Sequence, residues 1–243
     1  MNTQTLEKMK LMRFHGMHHA FNESLQNSKV NYTSDELIAY LIQSEWDERH
    51  NRKIERLTKA AKFRYKAAME NINYQTDRNI DKNQIQRFMN CDFVENKESI
   101  LITGSTGVGK SYIASAIGYQ ACSLGYKVMY FNAHKLFTKL KVSKADGTYL
   151  KEINKIEKQD LLILDDFGLR ILDNVNRNIL MEIIEDRHAK HATIVASQLP
   201  TEAWHQIIGE QTIADAILDR LVHSAHRINL KGESMRKKLR KKH

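Results

Sequence analysis

Two hydrophobic patterns divide the chain near residue 99. From there on, apolar residues come in short dense runs, Ile100–Thr103, Lys127–Phe131, Leu161–Leu164, Thr193–Ala196 and His226–Leu230, separated by helix-length amphipathic stretches. Such runs predict strands buried on both faces, and their alternation with helices predicts a parallel sheet with crossover helices. Before residue 99 the spacing is helical. Leu37, Tyr40 and Leu41 share one face, and Ile54, Leu57 and Ala61 continue a second amphipathic segment. Thr33-Ser34-Asp35-Glu36 reads as a capping box, with Thr33 as N-cap and Glu36 reaching back. Gly16 is the only glycine before Gly104, and Pro200 is the only proline of the chain, so the first hundred residues are strongly helix-permissive. The expected organisation is a small all-α N-terminal domain over residues 1–66, then a polar connector over 67–98 that ends in a helix around Ile85–Cys91. An α/β domain follows over 99–243, closing in a basic tail.

Composition narrows the class. At 243 residues, with 42% hydrophobic and 28% charged positions, the chain reads as a soluble globular protein. Its apolar runs fall far short of the roughly 20 residues a membrane helix needs, so no membrane partner is expected. The N-terminal stretch lacks a signal-peptide core, and Cys91 and Cys122 have no metal-site or disulfide-framework spacing. A reducing cytoplasmic location is expected. His15, His18 and His19 share helical spacing, but without a neighbouring carboxylate or cysteine they are read as polar surface.

The formal net charge of +9 points to a polyanionic partner, of which nucleic acid is the commonest. Seven Lys or Arg against one Glu occupy the last thirteen residues. A second basic run spans Arg49 to Lys66, and its Arg52, Lys53 and Arg56 fall mostly off the apolar stripe, as candidate DNA contacts.

Chemistry enters at GSTGVGKS, residues 104–111, between a predicted strand and a predicted helix. The stretch fits GxxxxGK[ST], the phosphate-binding P-loop, in the context that motif requires. Gly104, Gly107 and Gly109 let the backbone turn and aim N–H groups inward, with Ser105, Thr106 and Val108 between them. Lys110 places a cation on the β- and γ-phosphates, Ser111 offers a hydroxyl to Mg2+, and Tyr112 follows in the first helical turn. Leu161-Leu162-Ile163-Leu164-Asp165-Asp166 closes an apolar strand with two carboxylates. Asp165 is the expected Mg2+ residue, and Asp166 the residue that orients or deprotonates the attacking water. Gln198, just after the Thr193–Ala196 strand, is a candidate for contact with the terminal phosphate.

With GSTGVGKS, LLILDDFG, ASQLP, ILDRL and GESMR in that order, and LMRFHGMHHAF near the start, the sequence resembles the IstB-type transposition helper ATPases. These are AAA+ proteins similar to DnaC-type helicase loaders. The resemblance implies an α/β fold, a P-loop AAA+ domain with a five-stranded parallel sheet flanked by helices behind the all-α N-terminal domain. It implies ATP and Mg2+ as cofactors, ATP hydrolysis, and a homo-oligomer with ATP at subunit interfaces. It also implies duplex DNA and an IstA-type transposase as partners. Arg220 then matches an arginine finger reaching a neighbouring subunit's nucleotide. Arg236 matches a second sensor arginine, and Gln198 stands where relatives often have Asn. The helix over 133–144 corresponds to an initiator-type insertion, with Leu136, Phe137 and Leu140 inward and Lys135, Lys139, Lys141 and Lys144 outward towards DNA phosphates. Two alternatives share the phosphate-binding motifs. A helicase loader would differ in the partner gripped by its N-terminal helices, and a small-molecule P-loop kinase would need an acceptor pocket and a lid.

Overall fold

The computed structural model describes residues 2–26, 32–74, 78–223 and 225–235. The chain forms two compact units, Met1–Arg56 and Leu57–His243. Among the described residues no helix is long and apolar enough to cross a membrane.

The first unit holds α1 (Asn2–Leu11), α2 (His15–Gln26) and most of α3 (Ser34–Ala61), which runs on past the unit boundary. The capping box closes the start of α3 as expected. Glu36 accepts the Thr33 backbone N–H at 2.8 Å, and its own N–H donates to Thr33 Oγ1 at 3.3 Å. α2 meets α3 backbone to backbone at Gly16, where a Cβ would lie 2.2 Å from the Ser44 carbonyl oxygen. Glu45, buried on α3, accepts the N–H groups of Gly16 at 2.8 Å and Met17 at 3.2 Å, donors that the first turn of α2 leaves without helical acceptors. Arg49, one turn on, pairs with the same carboxylate.

The second unit begins with the end of α3 and a 3-10 turn at Met69–Asn71, followed by short helices α4 (Lys82–Arg87) and α5 (Asp92–Glu95). Then come β1 (Ile100–Gly104), α6 (Lys110–Ser123), β2 (Val128–Asn132), α7 (Ala133–Ala145), α8 (Tyr149–Glu157) and β3 (Leu161–Phe167). α9 (Asn174–Arg187), β4 (Ala192–Ser197), α10 (Trp204–Ile208), α11 (Gln211–Val222) and β5 (His226–Leu230) complete it. The five strands form one parallel sheet in the order β2-β3-β4-β1-β5, the architecture expected from the apolar runs. Successive residues of a strand face opposite sides, and both sides are covered. Ile100, Ile102, Ile163 and Ile194 pack with α6 and with Met69, Ile72, Ile85, Phe88 and Phe93. Leu101, Leu162, Leu164 and Val195 pack with residues of α7 to α11. The stretch over 67–98, polar in overall composition, thus carries enough apolar anchors to cover one face of the sheet. Cys91 and Cys122 are free thiols within that layer, and burial pushes both up to about 12.

Order 2-3-4-1-5 sets the carboxyl ends of β3, β4 and β1 side by side, so the segments after them converge, which is where open parallel sheets bind ligands. The opposite end of the sheet is tied by Arg187, whose side chain is almost wholly buried. It donates to the carbonyls of Ile156 and Gln159 at 2.9 Å each, to that of Ala192 at 2.5 Å, and to Thr193 Oγ1 at 3.2 Å. Burial opposes its charge and pulls it down to about 9, still cationic at neutral pH. Arg187→Met keeps the stem but strands these acceptors. We expect a stability loss of about 3 kcal/mol in urea unfolding, because a buried network missing its donor is costly.

Candidate phosphate-binding site at the carboxyl edge of the sheet

The loop over 104–109 leaves β1 and enters α6 at Lys110. Two of its glycines are required by close approach as well as by backbone conformation. A Cβ at Gly104 (φ +145°) would sit 2.2 Å from the Leu230 carbonyl oxygen, and one at Gly107 (φ +86°) would sit 2.2 Å from Ser234 Oγ. Val108 is buried beneath the loop. Lys110 is largely buried, and its ammonium donates to the Gly104 and Ser105 carbonyls at 2.8 Å each, which holds it inside the curve of the loop. Thr106 Oγ1 donates to Gln198 Oε1 at 2.7 Å, tying the loop to the residue that follows β4.

Asp165 and Asp166 lie on β3, which continues through Phe167 beyond the expected Leu164 end, with a register shift against β4 between Leu164 and Phe167. Asp165 is fully buried and accepts three donors. Ser111 Oγ reaches Oδ1 at 2.9 Å, Arg64 Nη1 reaches Oδ2 at 3.3 Å, and the Tyr130 hydroxyl makes a short bond to Oδ2. Burial and then that bond push the Tyr130 phenol well above its ordinary value, so it stays a donor. Asp166 has left-handed backbone, φ +56°, and its Oδ2 accepts Arg64 Nη1 at 2.9 Å and Asn132 Nδ2 at 3.0 Å. Burial works against the charge of Arg64, but Tyr65 and the two carboxylates leave it above the usual arginine value.

Lys110, Ser111, Tyr112, Thr106, Gly107, Gly109, Asp166 and Gln198 line one cleft of about 450 Å3, a volume suited to a nucleotide-sized ligand. Arg64, Tyr65, Ile72 and Arg78 line its other walls. Arg78 is buried and donates to the Val108 carbonyl at 3.1 Å, bracing the loop from below. The GESMR stretch folds back onto the loop, where the Met235 N–H donates to the Gly107 carbonyl at 2.9 Å. Arg236 lies outside the described residues. The Ser111 hydroxyl and the Asp165 carboxylate stand in direct contact, a hard-oxygen donor pair of the kind Mg2+ accepts together with phosphate and water.

Arg220 is not brought to this cleft. It sits on α11 with Glu185 Oε2 at 2.8 Å, and borders a hollow with Ser99 and Thr193, at the amino ends of β1 and β4. In α7, Leu136, Phe137 and Leu140 are buried as expected. Two of the four lysines on that helix have acid partners, Lys139 with Glu152 and Lys141 with Asp173 at 2.6 Å. Lys135 is exposed, and Lys144 lies 4.4 Å from the centroid of the Tyr149 ring. Neither has a carboxylate partner among the described residues. Arg52, Lys53 and Arg56 are exposed on α3, and Arg52 pairs with Glu48 at 3.3 Å.

A five-stranded parallel sheet whose β1 loop faces an acidic β3 end is a P-loop α/β fold, and solved structures share it. The chain superposes on the DnaI crystal structure with a TM-score of 0.58 at 22% identity, covering 72% of this chain and 93% of that one. For the DnaC helicase loader the TM-score is 0.57 at 19% identity, with 69% and 98% covered. The family is given by sequence: residues 7–243 match the IstB-like ATP binding protein family, and the chain belongs to it. A Sinorhizobium fredii relative, named as an insertion sequence ATP-binding protein, is 41% identical over 98% of both chains. The Pseudomonas aeruginosa protein named for ATP binding in insertion sequence IS21 is 28% identical over 90% of this chain and 82% of its own.

Tyr130, Asn132, Arg78 and Arg64 were not legible as site residues. A tyrosine in a strand covered on both faces must find a partner for its hydroxyl, and that was the one available signal. Tyr130→Phe removes a buried donor from Asp165, and we expect a loss of about 2 kcal/mol in chemical denaturation with the secondary structure unchanged.

Proposed function

We propose that this protein is a DNA-binding AAA+ ATPase that assembles with ATP at its subunit interfaces on duplex DNA and assists an IstA-type transposase. The observation that carries the reading is the convergence of Lys110, Ser111 and Asp166 at one cleft, with Asp165 bonded to Ser111 behind it, in a chain matched almost end to end by the IstB-like family. In this reading the backbone N–H groups of the loop and the start of α6 bind the phosphates, and Lys110 exchanges its two loop carbonyls for β- and γ-phosphate oxygens. The base lies against Tyr65 and Ile72. Mg2+ held by Ser111 and Asp165 would add positive charge to the phosphate oxygens. Asp166 accepts a hydrogen bond from the attacking water, and Gln198 senses the terminal phosphate through the loop it already contacts.

Arg220 acts in trans. Its place at the amino ends of the strands, across the sheet from its own loop, supports contact with the nucleotide of another subunit rather than its own. A guanidinium offers a planar fork of donors that fits phosphate oxygens, and delivering it from a neighbour links hydrolysis to assembly. The lysines of α7 and the basic face of α3 contact DNA phosphates without reading bases.

Phosphate release from ATP, measured with and without long duplex DNA over a range of protein concentrations, tests the reading. The DNA-stimulated rate should rise more steeply than linearly with protein. Arg220→Ala should abolish that stimulation and leave ATP binding intact, whereas Lys110→Ala should lose binding itself. A per-molecule rate indifferent to both DNA and concentration would overturn the shared site. Lys135→Ala with Lys144→Ala should weaken DNA binding alike on unrelated sequences. The slope of log affinity against log salt should become shallower by about one unit for each phosphate that is no longer neutralised.

A further inference from the structure

Arg64 belongs to a basic run and is nevertheless aimed into the site. Lys62, with φ +58°, ends α3, and the two aromatic neighbours of Arg64 then fasten the chain down. Phe63 packs where α6 carries Gly118, since a Cβ there would lie 2.6 Å from Phe63 Cε1. The Phe63 ring also meets Tyr130 edge-on, with centroids 6.3 Å apart. Tyr65 lies against Tyr112, 6.4 Å between centroids, and its ring lies 5.6 Å from the Arg64 guanidinium. Residues 63 and 65 are thus anchored on α6 and β2, and the residue between them reaches Asp166.

We propose that Arg64 is a positioning residue for ATP hydrolysis, holding Asp166 so that its second carboxylate oxygen faces the water. This deepens the ATPase reading above and rests on it. Both protein donors to Asp166, Arg64 Nη1 and Asn132 Nδ2, fall on Oδ2, and Oδ1 accepts none among the described residues. A carboxylate held by one oxygen presents the other in a fixed direction. The need is physical, because an aspartate in left-handed backbone has a short arm that must be aimed. Arg64 gives and takes no proton. It acts through Asp166, and the bond it makes is charge-assisted and shares its nitrogen with Asp165 at 3.3 Å.

The full chain with Arg64→Ala or Arg64→Lys tests this. Binding of a fluorescent ATP analogue should stay within about twofold of the parent, and turnover at saturating ATP should fall about 10- to 100-fold, the scale expected when a reacting group is misaimed. Arg64→Lys should recover part of the loss. Millimolar guanidinium chloride should restore Arg64→Ala, because the position is 41% exposed and open to the cleft, while tetramethylammonium chloride at the same concentration should not. A structural role alone would not respond to that cation. Retention of ADP with aluminium fluoride through gel filtration gives a readout without turnover, and should be lost in Arg64→Ala while plain ADP binding persists. Turnover at or above the parent rate, or retention equal to the parent's, overturns the proposal. A parent that releases no phosphate overturns the ATPase reading instead, and retention in parent and variant still decides the role of Arg64.

Discussion

The second unit is organised around two consecutive carboxylates at the end of a strand covered on both faces. A fully buried carboxylate without partners costs several kcal/mol, so Asp165 is tolerable only where donors are supplied from elsewhere. They come from three places, Ser111 at the start of α6, Tyr130 within β2 and Arg64 after α3, and Asn132 at the end of β2 joins Arg64 on Asp166. These residues are 34 to 102 positions away along the chain. Only the completed sheet, with β2 beside β3, satisfies the pair. The same adjacency sets the acidic end beside the β1 loop, so satisfaction of buried charge and construction of the cleft are one requirement.

Consecutive residues in a regular strand face opposite sides of the sheet, yet Asp165 and Asp166 both receive the same guanidinium nitrogen. The register shift between Leu164 and Phe167 and the left-handed backbone of Asp166 resolve this, because a local irregularity re-aims one side chain without ending the strand. Holding a non-glycine residue there costs on the order of 1 kcal/mol or more. The two charge-assisted or polar bonds on Asp166 Oδ2 supply a comparable stabilisation.

The local parts of this arrangement were legible in the sequence, and the long-range parts were not. The five strands follow from apolar runs, since a strand buried on both faces leaves a dense hydrophobic signature. The capping box at Thr33 and the loop glycines follow from backbone requirements that few residue types meet. Composition misrepresents residues 67–98, because a few well-spaced anchors such as Met69, Ile85 and Phe88 build a layer inside a polar sequence. Arg64 is the clearest illegible case. Among its charged neighbours it is one more cation, and only the aromatic contacts of Phe63 and Tyr65 with distant elements separate it from them.

Charge on the second unit needs the same local treatment. A net +9 suggests a surface ready for a polyanion, but Lys139 and Lys141 on α7 already face Glu152 and Asp173. Exposed ion pairs of this sort are worth about 0–1 kcal/mol each, so a phosphate oxygen can replace either carboxylate at little cost. In the proposed assembly one copy would therefore contribute modestly, because each exchanged pair would leave a carboxylate near the nucleic acid. Counterion release adds over every neutralised phosphate, so copies aligned on one duplex, as proposed, would sum contributions that no single copy could make large. Weak, partly self-neutralised basic surfaces are thus consistent with a DNA-binding assembly. They would make a single copy's grip poor and sensitive to salt.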